Sequence, residues 1–370
     1  MSIKEIFSQD KAISILQKAH VAGKSPHAYI FAGPDGVGRF KTARQWAKML
    51  LCQNPVTENN FADSCGSCRS CTLLEADSHP DFSHIYKELV QFTRDGKERK
   101  TPVDLPIDVI REFLVEKISA KPALSEKKVF VITEAERLNA SSQNAMLKVL
   151  EEPPQYCCII LLCTRLEKLL PTVKSRARIV RFGSVGEDKI IEKLKQMGLD
   201  SQKARYFACL ARGSLGQACQ WAQLEMADAN LYQIKKDTLA RLCSLQYAES
   251  LELAQWLLDQ SKQIADVWAN LQKTTSKTDI NRRAHKTILL IIISALHDAM
   301  KLNLTKTQKI TNSDQKQLIQ NLACRFEPQN AAEKIADCYQ SLRWIESNVN
   351  EKLIFEHLLL NLAVSDTMKV

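Results

Sequence analysis

Three short stretches constrain this chain more than any other feature: Tyr29-Ile30-Phe31, Val129-Phe130-Val131-Ile132 and Ile159-Ile160-Leu161-Leu162-Cys163. Each is a continuous apolar run without polar alternation, as expected of a strand covered on both faces. The segments between them carry helical spacing, so strands alternate with helices. That order predicts an α/β fold with a parallel, doubly wound sheet and right-handed crossovers. Further strands are expected at 81–86, where apolar and polar residues alternate, and at 179–182. A helix or helix pair is expected over 3–22, ended by Gly23, and helices over 42–51, over 106–119 with Pro106 at its start, and over 142–152, ended by Pro153-Pro154. The polar stretch 87–101 reads as an exposed insertion. After Gly183 no strand pattern is found, and spacings such as Ile354, Leu358 and Leu362 point to helices. The expected division is an α/β core at 1–183, a helical unit at 184–233 and a larger all-α domain at 234–370.

With 370 residues the chain is long enough for two or three domains. Its net charge of +9, from 51 Lys and Arg against 42 Asp and Glu, suits contact with nucleic acid or an acidic partner. A generic basic surface accounts for the charge equally well. The first residues carry acids, and no run of about 18 apolar residues occurs, so neither a signal peptide nor a membrane span is expected. The expected location is the cytoplasm. In that setting the 12 cysteines should be reduced. Eight of them (Cys157, Cys158, Cys163, Cys209, Cys219, Cys243, Cys324 and Cys338) read as core residues.

The other four form a pattern. Cys52 is followed, across a polar stretch, by Cys65-x-x-Cys68-x-x-Cys71. Four thiolates can close a tetrahedron around Zn2+, leaving no position for a catalytic water, so such a metal would be structural. An iron-sulfur cluster or four reduced thiols remain alternatives. His79 lies just beyond, either as a substitute ligand or as part of the loop before the next strand.

The first apolar run leads into Gly33-Pro34-Asp35-Gly36-Val37-Gly38-Arg39-Phe40-Lys41-Thr42. A working phosphate loop reads G-x-x-x-x-G-K-[ST], in which Lys reaches the terminal phosphates and the hydroxyl ligates magnesium. Gly33, Gly36 and Gly38 keep the backbone cradle, but Arg39 stands for Lys and Phe40 for the hydroxyl. Lys41-Thr42 are a poor replacement, because two helical steps of about 100° turn a side chain to the opposite side. The second buried strand ends in Thr133-Glu134, where a working site has Asp-Glu, with Asp on the magnesium. Two losses fall on one ion, so Mg2+ is not expected and ATP binding is doubtful. The glycines alone also fit a tight strand-to-helix turn with no ligand.

Taken together, HAYIFAGPDGVGRFKTA, SCGSCRSCTLLEADSHPD, VFVITEAERLNASSQNAMLKVLEEPP, the strand before Thr164 and LLPTVKSRARIVRF resemble the delta-prime subunits of the bacterial DNA polymerase III clamp loader, within the AAA+ family. The likeness covers most of residues 1–182 and extends to Gly213-Ser214-Leu215-Gly216. It implies an AAA+ core with a zinc module at 52–71, a helical lid and a C-terminal helical collar. It implies a stator that does not hydrolyse ATP itself, assembled with gamma/tau and delta subunits in a hetero-pentamer that loads the sliding clamp on primed DNA. It also gives roles to residues. Ser175-Arg176-Ala177 occupies the family's Ser-Arg-Cys motif, whose arginine reaches a neighbouring ATPase as an arginine finger, and Ala177 departs from it. Thr164 takes the sensor position, and Gly216 stands where motor subunits carry a nucleotide-sensing arginine. Two other functions compete: an ATP-hydrolysing gamma/tau-like motor with a variant phosphate loop, and a stand-alone zinc-stabilised DNA-binding module.

Overall fold

The structure is a computed structural model that describes residues 2–94, 104–272, 275–305, 310–347 and 349–364. The chain divides into two compact units, Met1–Gly186 with Ser214–Gly216, and Glu187–Gly213 with Gln217–Val370.

The first unit holds seven strands: β1 (Ala28–Ala32), β2 (Val56–Glu58), β3 (Phe61–Asp63), β4 (Phe82–Ile85), β5 (Lys128–Ile132), β6 (Cys157–Cys163) and β7 (Arg178–Arg181). Five of them form one parallel sheet in the order β4-β5-β6-β1-β7. The apolar runs are its centre, and every residue of β1, β5 and β6 is buried. Successive side chains face opposite sides of a strand. Ile30, Phe130, Ile132, Ile159 and Leu161 therefore join one core with Val109, Leu114, Met146 and Leu150. Tyr29, Phe31, Val129, Val131 and Ile160 join the other with Leu16, Trp46 and Met49. Each fully buried side chain of this size contributes about 1.5–3 kcal/mol, which is why the apolar runs fix the sheet.

The helices expected in this unit form as Asp10–Val21, Arg39–Leu51, Ile107–Ile118 with a π turn at Arg111–Val115, and Ala140–Glu151. The stretch 87–101 departs from expectation. Lys87–Phe92 is a 3-10 turn that buries Lys87 and Val90, while 95–101 lies outside the described residues. A hairpin of β2 and β3 adds to the expected elements. Asn59 and Asn60 between its strands both take left-handed conformations, φ 49° and 61°, as a two-residue hairpin turn requires. The Gln17 side-chain amide grips the backbone of Ala62 at both ends, at 2.7 and 2.8 Å.

The second unit is helical throughout its described residues, as expected after Gly183. Its helix Lys277–Leu304 is long and apolar enough to cross a membrane by length and composition, which the residue pattern does not lead one to expect. Most of that apolar window, 61%, is buried, in contacts with Ser250–Leu271, Lys316–Arg325 and Pro328–Glu346. Burial also corrects the reading of the scattered cysteines: Cys157, Cys158, Cys163 and Cys338 are core residues, Cys209, Cys219 and Cys243 are half-buried, and Cys324 is exposed.

Candidate functional site

The glycine loop joins β1 to the helix Arg39–Leu51, and its glycines have separate structural duties. Gly38 caps the helix at φ 100°, a left-handed conformation that side chains resist. Gly33 passes so close to the chain after β7 that a Cβ would lie 2.5 Å from the Phe182 carbonyl oxygen. The Gly216 N–H donates to the Gly36 carbonyl at 2.7 Å, and a Cβ on Gly216 would meet Gly36 Cα at 3.0 Å. A side chain at 216 would press on the Gly36 backbone, which would have to give by a few tenths of an ångström. Arg39 is buried, with its guanidinium 3.4 Å from the exposed Asp35 carboxylate of the same loop. Thr42 cannot serve as a displaced hydroxyl. It is fully buried and donates back to the Gly38 carbonyl at 2.9 Å.

The two positions that would ligate magnesium meet through a residue from a third element. The Phe40 ring packs on His84 of β4 with centroids 4.7 Å apart, and His84 packs in turn on Tyr86 at 4.9 Å. His84 Nε2 lies 3.3 Å from Thr133 Oγ1, and that hydroxyl donates to the Ile85 carbonyl. With its hydrogen so used, the hydroxyl accepts from an Nε2–H, which selects the Nε2–H tautomer of the neutral ring. Burial lowers the His84 pKa to about 4, so the ring stays uncharged at neutral pH. Where a working site sets an anionic oxygen cage for a divalent cation, this chain sets aromatic rings and a neutral imidazole. Neighbouring Glu134 sits at φ 52° with its carboxylate 3.0 Å from Arg137 and 4.0 Å from Lys87. Thr164 donates both its N–H and its hydroxyl to Glu136.

The four cysteines come together. Their sulfurs lie within 4.8 Å of one another, with Cys52 Sγ 3.5 Å from Cys65 and 3.8 Å from Cys68. Zinc–sulfur bonds of about 2.3 Å in a tetrahedron place sulfurs about 3.8 Å apart, so this donor set fits such an ion. Backbone N–H groups of Cys65, Cys68 and Cys71 point at the sulfurs of Cys52, Cys65 and Cys68 at 3.3–3.5 Å. Hydrogen bonding from the Ser67 backbone, ahead of that from Cys68, brings the Cys65 thiol down to about 6. Burial pushes Cys52 and Cys71 up. His79 is not part of the quartet. Its Nε2 lies 2.7 Å from Ser70 Oγ and its Nδ1 accepts from the Asp81 N–H, so it ties the loop before β4 to the helix carrying Cys71.

Arg176 follows the short helix Pro171–Lys174, with about a third of its side chain exposed. Its Nη1 donates to the Thr172 carbonyl at 3.0 Å, and its Nη2 lies 2.9 Å from Glu151. Ala177 packs against the sheet core.

A family profile described as "DNA polymerase III, delta subunit" matches residues 8–186, and one described as "DNA polymerase III, delta subunit, C terminal" matches 244–363. A DNA polymerase III subunit delta-prime of Pseudomonas aeruginosa is 37% identical over 150 residues, which span 40% of this chain and 41% of that one. That of Bacillus subtilis is 23% identical over 96% of both chains. That of Escherichia coli is 30% identical over 65% of this chain and 70% of its own. The chain belongs to the delta-prime subunit family of DNA polymerase III. A gamma/tau subunit of Mycobacterium tuberculosis also matches, at 33% identity, but over 28% of its own length.

Against that family background, the residues missed from sequence are partners rather than motif members: His84, Glu136 and Glu151. The alternation 81–86 places His84 on one strand face, but nothing in a single sequence says which face meets Phe40. Glu136 and Glu151 sit in acidic stretches, Thr133-Glu134-Ala135-Glu136 and Glu151-Glu152, whose members only the fold distinguishes.

Proposed function

We propose that this delta-prime family member is a non-hydrolysing subunit of the DNA polymerase III clamp loader. It would sit with gamma/tau and delta subunits in a hetero-pentamer, help load the sliding clamp on primed DNA, and present Arg176 to a neighbouring ATPase. The observation carrying this reading is the link Phe40–His84–Thr133, which puts an aromatic ring in one magnesium-ligating position and, in place of the carboxylate of the other, a neutral hydroxyl already engaged by His84 and the Ile85 carbonyl. Without magnesium, the developing charge on a transferring phosphoryl group goes unneutralised, and hydrolysis has no path at this loop. A guanidinium remains charged at any physiological pH and can stabilise that charge in the site next door. Gly216, backed onto Gly36, leaves no arginine to sense a nucleotide here.

The cysteine quartet would hold a structural zinc that pins the polar loop between Cys52 and Cys65, with every coordination position taken by sulfur. A lid at 184–233, a collar at 234–370 that assembles the pentamer, and a cytoplasmic location belong to the same proposal.

The test is the purified chain alone, assayed for nucleotide binding and magnesium-dependent ATP turnover, and then mixed with candidate motor subunits. We expect no turnover and a complex of fixed stoichiometry. Turnover by the chain alone that Glu134→Ala abolishes would replace this reading with that of a gamma/tau-like motor.

A further inference from the structure

The Arg176 guanidinium is held by three groups of its own chain. Two are local: the Thr172 carbonyl at 3.0 Å and Ser175 Oγ at 3.3 Å, both on Nη1. The third, Glu151 Oε1 at 2.9 Å from Nη2, comes from a different element. Glu151 is the last residue of the helix Ala140–Glu151, beyond which Pro153-Pro154 cannot continue the helix. Its carboxylate is therefore carried on a rigid helix end, while Arg176 lies in a loop just past a four-residue helix.

The side chains of Arg176 and Glu151 are 35% and 48% exposed, and an ion pair so open to water adds little to stability. Its effect is on direction. An arginine left to itself spreads over many rotamers, and a planar fork fixed along one edge loses that freedom before any ligand arrives. Three of the five guanidinium N–H groups are engaged in this way, which leaves Nε–H and one Nη2 hydrogen free to donate elsewhere.

We propose that Glu151 is the positioning residue for Arg176, aiming its two unused donors at the triphosphate of the neighbouring subunit. This rests on Arg176 acting in trans, and deepens that reading by naming what orients it. A side chain aimed beforehand contributes to the transition state rather than to nucleotide affinity, so its loss should appear in kcat and not in KM. Glutamine keeps an acceptor oxygen at the same reach and should retain most of the effect.

The experiment is DNA-stimulated ATP turnover of the reconstituted complex with wild-type chain, Glu151→Ala, Glu151→Gln, Arg176→Ala and the Glu151→Ala/Arg176→Ala double variant, each checked for assembly. We expect Glu151→Ala to lower kcat about three- to tenfold with KM for ATP within about twofold. Glu151→Gln should recover most of that loss, and the double variant should be no worse than Arg176→Ala alone. Unchanged turnover in Glu151→Ala, in a complex where Arg176→Ala lowers it, would overturn the positioning role while leaving the finger intact. So would a double variant slower than Arg176→Ala, because Glu151 would then act by another route. If Arg176→Ala itself has no effect, it is the underlying reading that fails.

Discussion

The cysteine quartet and the glycine loop are both motifs of the same unit, and they fare differently when built. At the quartet the side chains are the site, and the fold brings all four sulfurs within 4.8 Å of one another. At the loop the backbone is intact while the side chains that would do chemistry are replaced by Arg39, Phe40 and Thr133. The difference lies in what else each residue does. Gly33 is required by the approach of Phe182 and Gly38 by its left-handed cap, so the fold is reason enough to keep those glycines. No packing demand gathers the half-buried Cys52, Cys65 and Cys68 around the buried Cys71. A glycine loop is thus weak testimony to nucleotide chemistry, and a thiol quartet is strong testimony to a metal.

That contrast can be broken by experiment. The largest effect is expected at the quartet: Cys65→Ser should abolish the proposed zinc binding and destabilise the module at 52–71 by on the order of 5 kcal/mol, read by metal analysis and thermal melting. A variant retaining a full equivalent of zinc would remove the quartet from the account.

A smaller effect is expected where the magnesium positions meet. The folded chain holds His84 neutral down to about pH 4, against 6.5 for an ordinary imidazole. Between those values the unfolded chain binds the extra proton, so stability falls as pH drops from 6.5 to 4 and levels off below. The full span amounts to about 3 kcal/mol. His84→Phe should remove this part of the slope in denaturant titrations, and an unchanged slope would show the ring to be solvated instead.

Smallest is the glycine frame. Gly33→Ala, with no nucleotide present, should cost about 1–3 kcal/mol because the Phe182 backbone must yield, a change visible in the denaturation midpoint. An undiminished midpoint would mean that Gly33 is kept for a ligand and not for the fold.

Much of this is legible in the amino-acid sequence, because its cause is local. The buried runs announce the sheet, Gly23 and Pro153-Pro154 announce helix ends, and the spacing of Cys65, Cys68 and Cys71 announces a ligand set. The hairpin of β2 and β3 is harder to see although Asn59-Asn60 signals a two-residue turn, since its strands are three residues each and one is fully exposed. His84, Glu136 and Glu151 are illegible for another reason. Their roles come from strand order, which sets β4 beside β5, and from loops that meet only after the sheet has formed.

The central claim is that this chain's own loop is chemically silent while Arg176 acts in the site next door. It is tested most directly by ATP turnover of the reconstituted complex carrying either Arg39→Ala/Phe40→Ala or Arg176→Ala in this subunit. The account predicts wild-type turnover for the loop variant. For Arg176→Ala it predicts loss of the share contributed by the neighbouring site, whose own rate should fall by on the order of 10³. Reduced turnover in the loop variant together with an unaffected Arg176→Ala complex would contradict it.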